Sequence, residues 1–117
     1  MDKDICTYLF DILSSVNEID EYIAKNRTYE YYCNNKMLQR AVERNLEIMG
    51  EAMNRILKIK PNFPILYAKK IVDTRNKIIH GYEQIDHTVV WGIIINHLPK
   101  LKSEIENLLA ENNTQDK

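Results

Sequence analysis

In residues 75–82, RNKIIHGY, an arginine stands five positions ahead of a histidine, and a glycine and a tyrosine follow at once. An imidazole titrates near neutral pH and can therefore give or take a proton under cellular conditions. A guanidinium stays charged and offers a planar fork of donors that matches a phosphate. Arg75 and His80 together suit chemistry on a phosphodiester. Asn76 stands one helical turn before His80, where it can orient the ring, and Lys69, Lys70 and Lys77 add positive charge nearby.

These residues must be brought together by the chain around them. Five helical steps rotate the chain through about 500°, which leaves Arg75 and His80 roughly 140° apart on a straight helix. They converge only if the helix loosens near Ile79, which Gly81 permits, or if the pair meets its counterpart across a subunit interface. Beyond the glycine, an extended segment would set His80 and Tyr82 on the same side, because side chains alternate along extended backbone. A plainer role also fits the spacing, with a helix-terminal histidine interacting with free carbonyl groups. Spacing alone leaves both readings open.

Other reactive residue types form no constellation. His80, His87 and His97 are joined by no cluster of Cys, Asp or Glu at ligand spacing, so no metal centre is expected. Cys6 and Cys33 lie far apart and read as reduced, incidental thiols. No glycine-rich phosphate loop is present and no cofactor is implied. His97 falls on the apolar side of its segment and reads as a packing or interface residue. His87, beside a helix cap, is expected to face solvent. Trp91 opens an apolar stripe and reads as core or dimer contact.

The elements that carry the constellation are helical. Ile5, Leu9, Ile12, Val16, Ile19 and Ile23 recur at alternating steps of four and three, the signature of one buried helix face. The stretch KNRTYEYYCNNK lacks that rhythm and reads as a connection whose aromatics cover an end of the bundle, with Asn34 or Asn35 capping the next helix. From Lys36 to about Lys58 the periodicity returns through Leu38, Val42, Met49, Ala52 and Ile56. Arg44 with Glu47, and Glu51 with Arg55, stand at helical ion-pair spacing. Asn45 falls on the apolar stripe. Gly50 sits mid-helix, consistent either with close backbone approach or with a tolerated imperfection.

KPNFP stops that helix, and a third is expected over about 65–79, ended by Gly81. Asp86 is placed to cap a fourth, with Trp91, Ile94, Leu98, Leu101, Ile105 and Leu108 on one face and Pro99 expected to kink or split it. The polar end from about residue 111 is expected to fray. These segments predict an all-α fold, an antiparallel four- to five-helix bundle forming one domain over 1–117.

Length and charge agree with that picture. A chain of 117 residues supports one compact core. Its formal net charge of -1 gives no global signal of nucleic-acid binding, so any such site must be local. No apolar run approaches the ~20 residues of a membrane span, and the N-terminus MDKDICTYLF is acidic where a secretory signal would be basic. A cytoplasmic protein without membrane attachment is the expectation.

RNKIIHGY resembles the arginine, four residues, histidine, any residue, tyrosine motif of the HepT toxins, within the HEPN superfamily of helical ribonucleases. The likeness extends through RAVERNLEIMGEAMNR at 40–55 and DHTVVWGIIINHLPKL at 86–101, about two-thirds of the chain. The resemblance implies a homodimeric bundle that sets two copies of the motif in one cleft and cuts RNA without a metal. It places Arg75 and His80 at the catalytic positions and Asn76 in a supporting one. It makes Tyr82 the phenol to which a companion nucleotidyltransferase, an MntA-like antitoxin, attaches AMP. Asp73 and Thr74 depart from the smaller or apolar residues expected before the motif. A noncatalytic partner subunit that presents nucleotide or substrate to a nucleotidyltransferase is the alternative that the same fold allows.

Overall fold

The computed structural model describes residues 1–80 and 85–115, with side chains through residue 112. Gly81, the expected helix terminator, and Tyr82, the expected modification site, lie outside the described residues. Helix α1 spans Lys3–Ile23, and the Asp2 carboxylate caps it by accepting from the amides of Asp4 at 2.7 Å and Ile5 at 3.2 Å. Its stripe from Ile5 to Ile23 is buried as the spacing predicts.

The segment expected to be a connection contains a short helix, α2, over Tyr29–Cys33. Five residues are too few to show a helical rhythm, and two local devices hold them instead. Thr28 Oγ1 accepts from the Tyr31 amide at 3.2 Å, and Gln39 Nε2 donates to the carbonyls of Tyr32 and Cys33, each at 2.9 Å. Tyr32 is fully buried and stacks on Trp91, so one aromatic of this segment belongs to the core rather than to a cover.

Helix α3 runs over Lys36–Ile59, with Asn35 as its cap through the Leu38 amide at 3.0 Å. Both expected ion pairs form along it, Arg44 to Glu47 at 3.1 Å and Arg55 to Glu51 at 3.0 Å. Asn45 is buried and satisfied, donating to the Ala41 carbonyl at 3.2 Å and the Tyr22 hydroxyl at 3.4 Å. Helix α4 spans Ala68–His80 and starts later than expected. Residues from Phe63 to Tyr67 turn first, with the Ile65 amide bonded to the Phe63 carbonyl at 2.8 Å and the Leu66 amide held by Glu104 Oε2 at 3.0 Å.

Asp86 caps α5, His87–Gly92, through the Thr88 amide at 2.8 Å. A π-helical turn, Ile93–His97, then leads into α6, Leu98–Gln115. Pro99 has no N–H, and its ring would press on the carbonyl four residues back in a regular helix. The chain accommodates it ahead of the ring, where the Leu98 amide reaches the Ile93 carbonyl five residues back. The rod is therefore widened before the proline rather than broken at it.

The packing is antiparallel. Tyr22 near the end of α1 meets Asn45 in the first half of α3, whereas Arg55 near the end of α3 sits 5.9 Å from the ring centre of Tyr8 near the start of α1. Asp20 meets Lys102 near the start of α6 at 3.8 Å. Tyr67, just before α4, meets His97, and the end of α4 shares a groove with Asp86 and Val89. The sequence expectation of an all-α bundle holds, with no strand among the described residues and α2 as the additional helix. Leu9, Ile12, Ile19, Leu46, Met49, Ile56, Leu98 and Leu101 form its centre. Among the described residues, no helix is long and apolar enough to cross a membrane.

Candidate active site

Helix α4 touches α3 at one unusually close point. A Cβ built on Gly50 would collide with Cβ of Arg75 and lie 2.8 Å from its Cγ and 3.0 Å from the Ile71 carbonyl oxygen. Gly50 is thus required by close approach, and of the two readings open in the sequence this is the one realised. The closeness delivers the Arg75 side chain onto the face of α3.

There the guanidinium is fixed on two sides. Nη2 donates to Glu51 Oε2 at 2.7 Å, and Nη1 donates to Asn76 Oδ1 at 3.0 Å. Nε is buried and has no hydrogen-bond partner among the described residues. The other oxygen of Glu51, Oε1, accepts from Arg55 Nε at 3.0 Å. That hydrogen bond from Arg55 outweighs the opposing effect of burial, the second cause in size, and with the charges of Arg75, Arg55 and Lys58 holds the Glu51 carboxyl below the usual carboxylate range. Arg55, Glu51, Arg75 and Asn76 form one connected polar line from α3 to α4.

His80 lies at the exposed end of α4, which remains α-helical through it. The loosening near Ile79 that would let it converge on Arg75 within one chain is absent. His80 instead lines a groove of about 740 Å³ between α4 and α5, together with Asn76, Thr74, two lysines (Lys70 and Lys77) and two aspartates (Asp73 and Asp86), over apolar walls that include Val89 and Ile93. Arg75 lines a different groove, of about 420 Å³, with Glu51, Arg55, Arg44, Tyr8 and Ile79. Asn76 belongs to both sides, accepting from Arg75 while lining the His80 groove. Its side-chain oxygen therefore serves the arginine, whereas the sequence suggested the imidazole.

The remaining candidates sort out differently. His87, expected to face solvent, is half-buried with its ring 5.8 Å from that of Tyr32, edge to face. His97 packs 4.4 Å from the Tyr67 ring, and burial, followed by the charge of Lys70, pushes its imidazole below the ordinary histidine range. Burial also pushes the Tyr32 phenol far above its usual value. The two cysteines are free and half-buried. No group of three metal-ligating side chains occurs among the described residues.

Sequence reading missed Glu51 as a partner of Arg75, because the two are separated by 24 positions and the local Arg55 spacing already explained the carboxylate. The adjacent Gly50 was the available signal, since a mid-helix glycine beside an acid marks where another helix comes close.

Comparisons with known proteins find relatives along nearly the whole chain. The model of a family described as ribonuclease HepT-like matches residues 12–108. A Methanocaldococcus jannaschii protein named "Putative RNase MJ1380" is 40% identical over 105 residues, covering 89% of this chain and 95% of its own. A second from that organism, "Putative RNase MJ1216", is 36% identical over 110 residues, covering 93% and 90%. The Thermococcus cleftensis protein named "Probable ribonuclease HepT" is 33% identical over 102 residues, covering 86% and 92%. No solved structure matches at a comparable level of significance. With a family match that runs from α1 into α6 and relatives that align over nearly their whole length, the chain belongs to the HepT-like ribonuclease family.

Proposed function

We propose that the protein is the toxin of a toxin–antitoxin pair, a metal-independent endoribonuclease that acts as a homodimer and is silenced when an MntA-like nucleotidyltransferase attaches AMP to Tyr82. The observation that carries this reading is the division of α4 between two grooves, with His80 on one side and Arg75 on the other. One chain presents half of an acid-base site, and a two-fold pair of chains supplies two histidines and two arginines. The ribonuclease names of the relatives support RNA as the substrate.

In this mechanism a ribose 2′-hydroxyl attacks the adjacent phosphorus and the 5′-oxygen leaves, so that a 2′,3′-cyclic phosphate and a 5′-hydroxyl are formed. One His80 accepts the proton from the nucleophile and the other donates a proton to the leaving oxygen. Arg75 stabilises the charge that builds on the phosphoryl oxygens. Silencing transfers AMP from ATP to the Tyr82 phenol oxygen with loss of pyrophosphate. The new phosphodiester adds about one negative charge two residues from His80, which repels the RNA backbone and blocks access by bulk.

RNA digestion in the presence of a chelator tests the first half, with cyclic phosphate ends as the expected product. A protein that binds a nucleotidyltransferase tightly but leaves RNA intact would replace this reading with that of a noncatalytic presenting subunit. Co-expression with an active transferase tests the second half. The wild type should gain the mass of one or more AMP units, and Tyr82→Phe should stay toxic and unmodified.

A further inference from the structure

We infer that Glu51 is a positioning residue for Arg75, holding the guanidinium in the one orientation in which its unused donors can receive a phosphate. The inference rests on the catalytic reading of Arg75. It goes beyond that reading by assigning a role to a residue of α3, outside the 75–82 motif.

The geometry points to this in three steps. Of the five N–H donors of a guanidinium, Glu51 and Asn76 each take one, at 2.7 Å and 3.0 Å. With contacts on both terminal nitrogens, the planar group can neither rotate about its stem nor swing away from the α3 face. One hydrogen on each terminal nitrogen is left to receive a phosphate, since the third unused donor, Nε–H, is buried. The second oxygen of the Glu51 carboxylate accepts from Arg55 at 3.0 Å, a surface contact that biases the carboxylate's orientation. A carboxylate biased in this way is a better guide for an arginine than one free to turn. Gly50, directly before it in sequence, brings the Arg75 backbone to the distance at which the contact forms.

A purely electrostatic role predicts the opposite result from a positioning role. Removing a negative charge beside a phosphate-binding arginine would, by Coulomb attraction alone, tighten RNA binding. Loss of position instead lowers the rate of the chemical step, because a misplacement on the order of 1 Å can cost about a hundredfold.

The test measures cleavage kinetics of a short RNA by the full-length wild type, Glu51→Ala, Glu51→Gln, Arg55→Ala and Arg75→Ala, with thermal unfolding and sedimentation on each. Glu51→Ala should lower kcat by about tenfold or more without raising KM. Glu51→Gln, which keeps the shape and one acceptor oxygen, should recover part of that loss. Arg55→Ala should show a smaller drop of about twofold to fivefold, since it acts only through Glu51. An Arg75→Ala protein that cleaves normally overturns the catalytic reading itself. An inactive Arg75→Ala beside a Glu51→Ala protein within twofold of wild-type kcat overturns the positioning role and leaves the catalytic reading standing. If kcat falls only in proportion to the folded dimeric fraction, or if Glu51→Gln is no better than Glu51→Ala, the role is also overturned. Should Glu51→Ala fail to fold, Glu51→Ser, too short to reach the guanidinium, takes its place, and a kcat within twofold of wild type in that variant rejects the assignment.

Discussion

Helices α3 and α4 lie against each other, yet α3 buries ten residues along its length and α4 buries only Ala68 and Ile71. The first is a structural member of the core. The second carries Arg75, Asn76 and His80 on surfaces that solvent reaches, and its exposed turns include Lys77 and Ile79. Hydrophobic burial decides whether this chain folds, and polar contacts decide how α4 presents its side chains. The two requirements meet at Gly50 and Glu51, where α3 serves the core with one face and the arginine with the next. Substitutions should therefore separate into those that remove activity from a stable protein and those that remove stability from an active one.

The largest separation is expected at His80. Replacement by Ala should lower single-turnover cleavage by roughly 10²- to 10⁴-fold, the usual contribution of a proton-transfer group, with the unfolding midpoint nearly unchanged. A large fall in stability would place His80 in the structural class and dissolve the contrast between the helices. Arg75→Lys should also be severely impaired, because lysine retains charge but loses the fork. Near-normal cleavage by that variant would argue against bidentate phosphate contact.

The reverse case is the core stripe of α1. Leu9 is fully buried, so Leu9→Ala should destabilise the fold by about 2–5 kcal/mol while activity per folded molecule stays near wild type. Denaturant titration combined with active-site titration reads both quantities. Gly50→Ala lies between the extremes. Helix propensity favours alanine by about 1 kcal/mol, but the added Cβ meets Cβ of Arg75 rather than a flexible tip, and overpacking of that kind costs about 1–3 kcal/mol. A modest net destabilisation with a disproportionate loss of cleavage is expected. A stabilised, fully active variant would show that α3 and α4 have room to part at this point.

The smallest effect concerns pH. The imidazole of His97 is depressed in the folded state, so the unfolded chain takes up the proton first as pH falls. Its contribution to stability is present above the unfolded histidine value of about 6.5 and is lost as the solution is acidified through and below it. Unfolding curves between pH 7.5 and 5 should show this slope in the wild type and a weaker one in His97→Gln.

How much was legible in the sequence depends on the range of the interactions. The stripes of α1 and α3 repeat every three or four residues, and the caps Asn35 and Asp86 act two or three residues away, so local pattern revealed them. The division of Arg75 from His80 was legible as well, since helical rotation alone produces it. Contacts across the chain were not. Glu51 meets Arg75 across 24 positions, and Tyr32 enters the core by stacking on Trp91, which no periodicity announces in a five-residue helix. His87 looked solvent-facing for the same reason, because its neighbour Tyr32 lies on a distant segment.

The π-helical turn at Ile93–His97 acts as a phase shifter along the last rod. One additional residue within a helical turn rotates everything beyond it by about 100° relative to a regular helix. Before the turn, Trp91 is aimed at α2; beyond it, Lys102 and its neighbours are aimed at α1. A single continuous element can thereby dock on two partners that a regular helix with the same start would not address in register. The length of this segment is accordingly constrained more tightly than its composition. Exchange of one apolar side chain for another within 93–97 alters packing at one place, whereas deletion of a single residue there would retune the whole of α6 against the bundle.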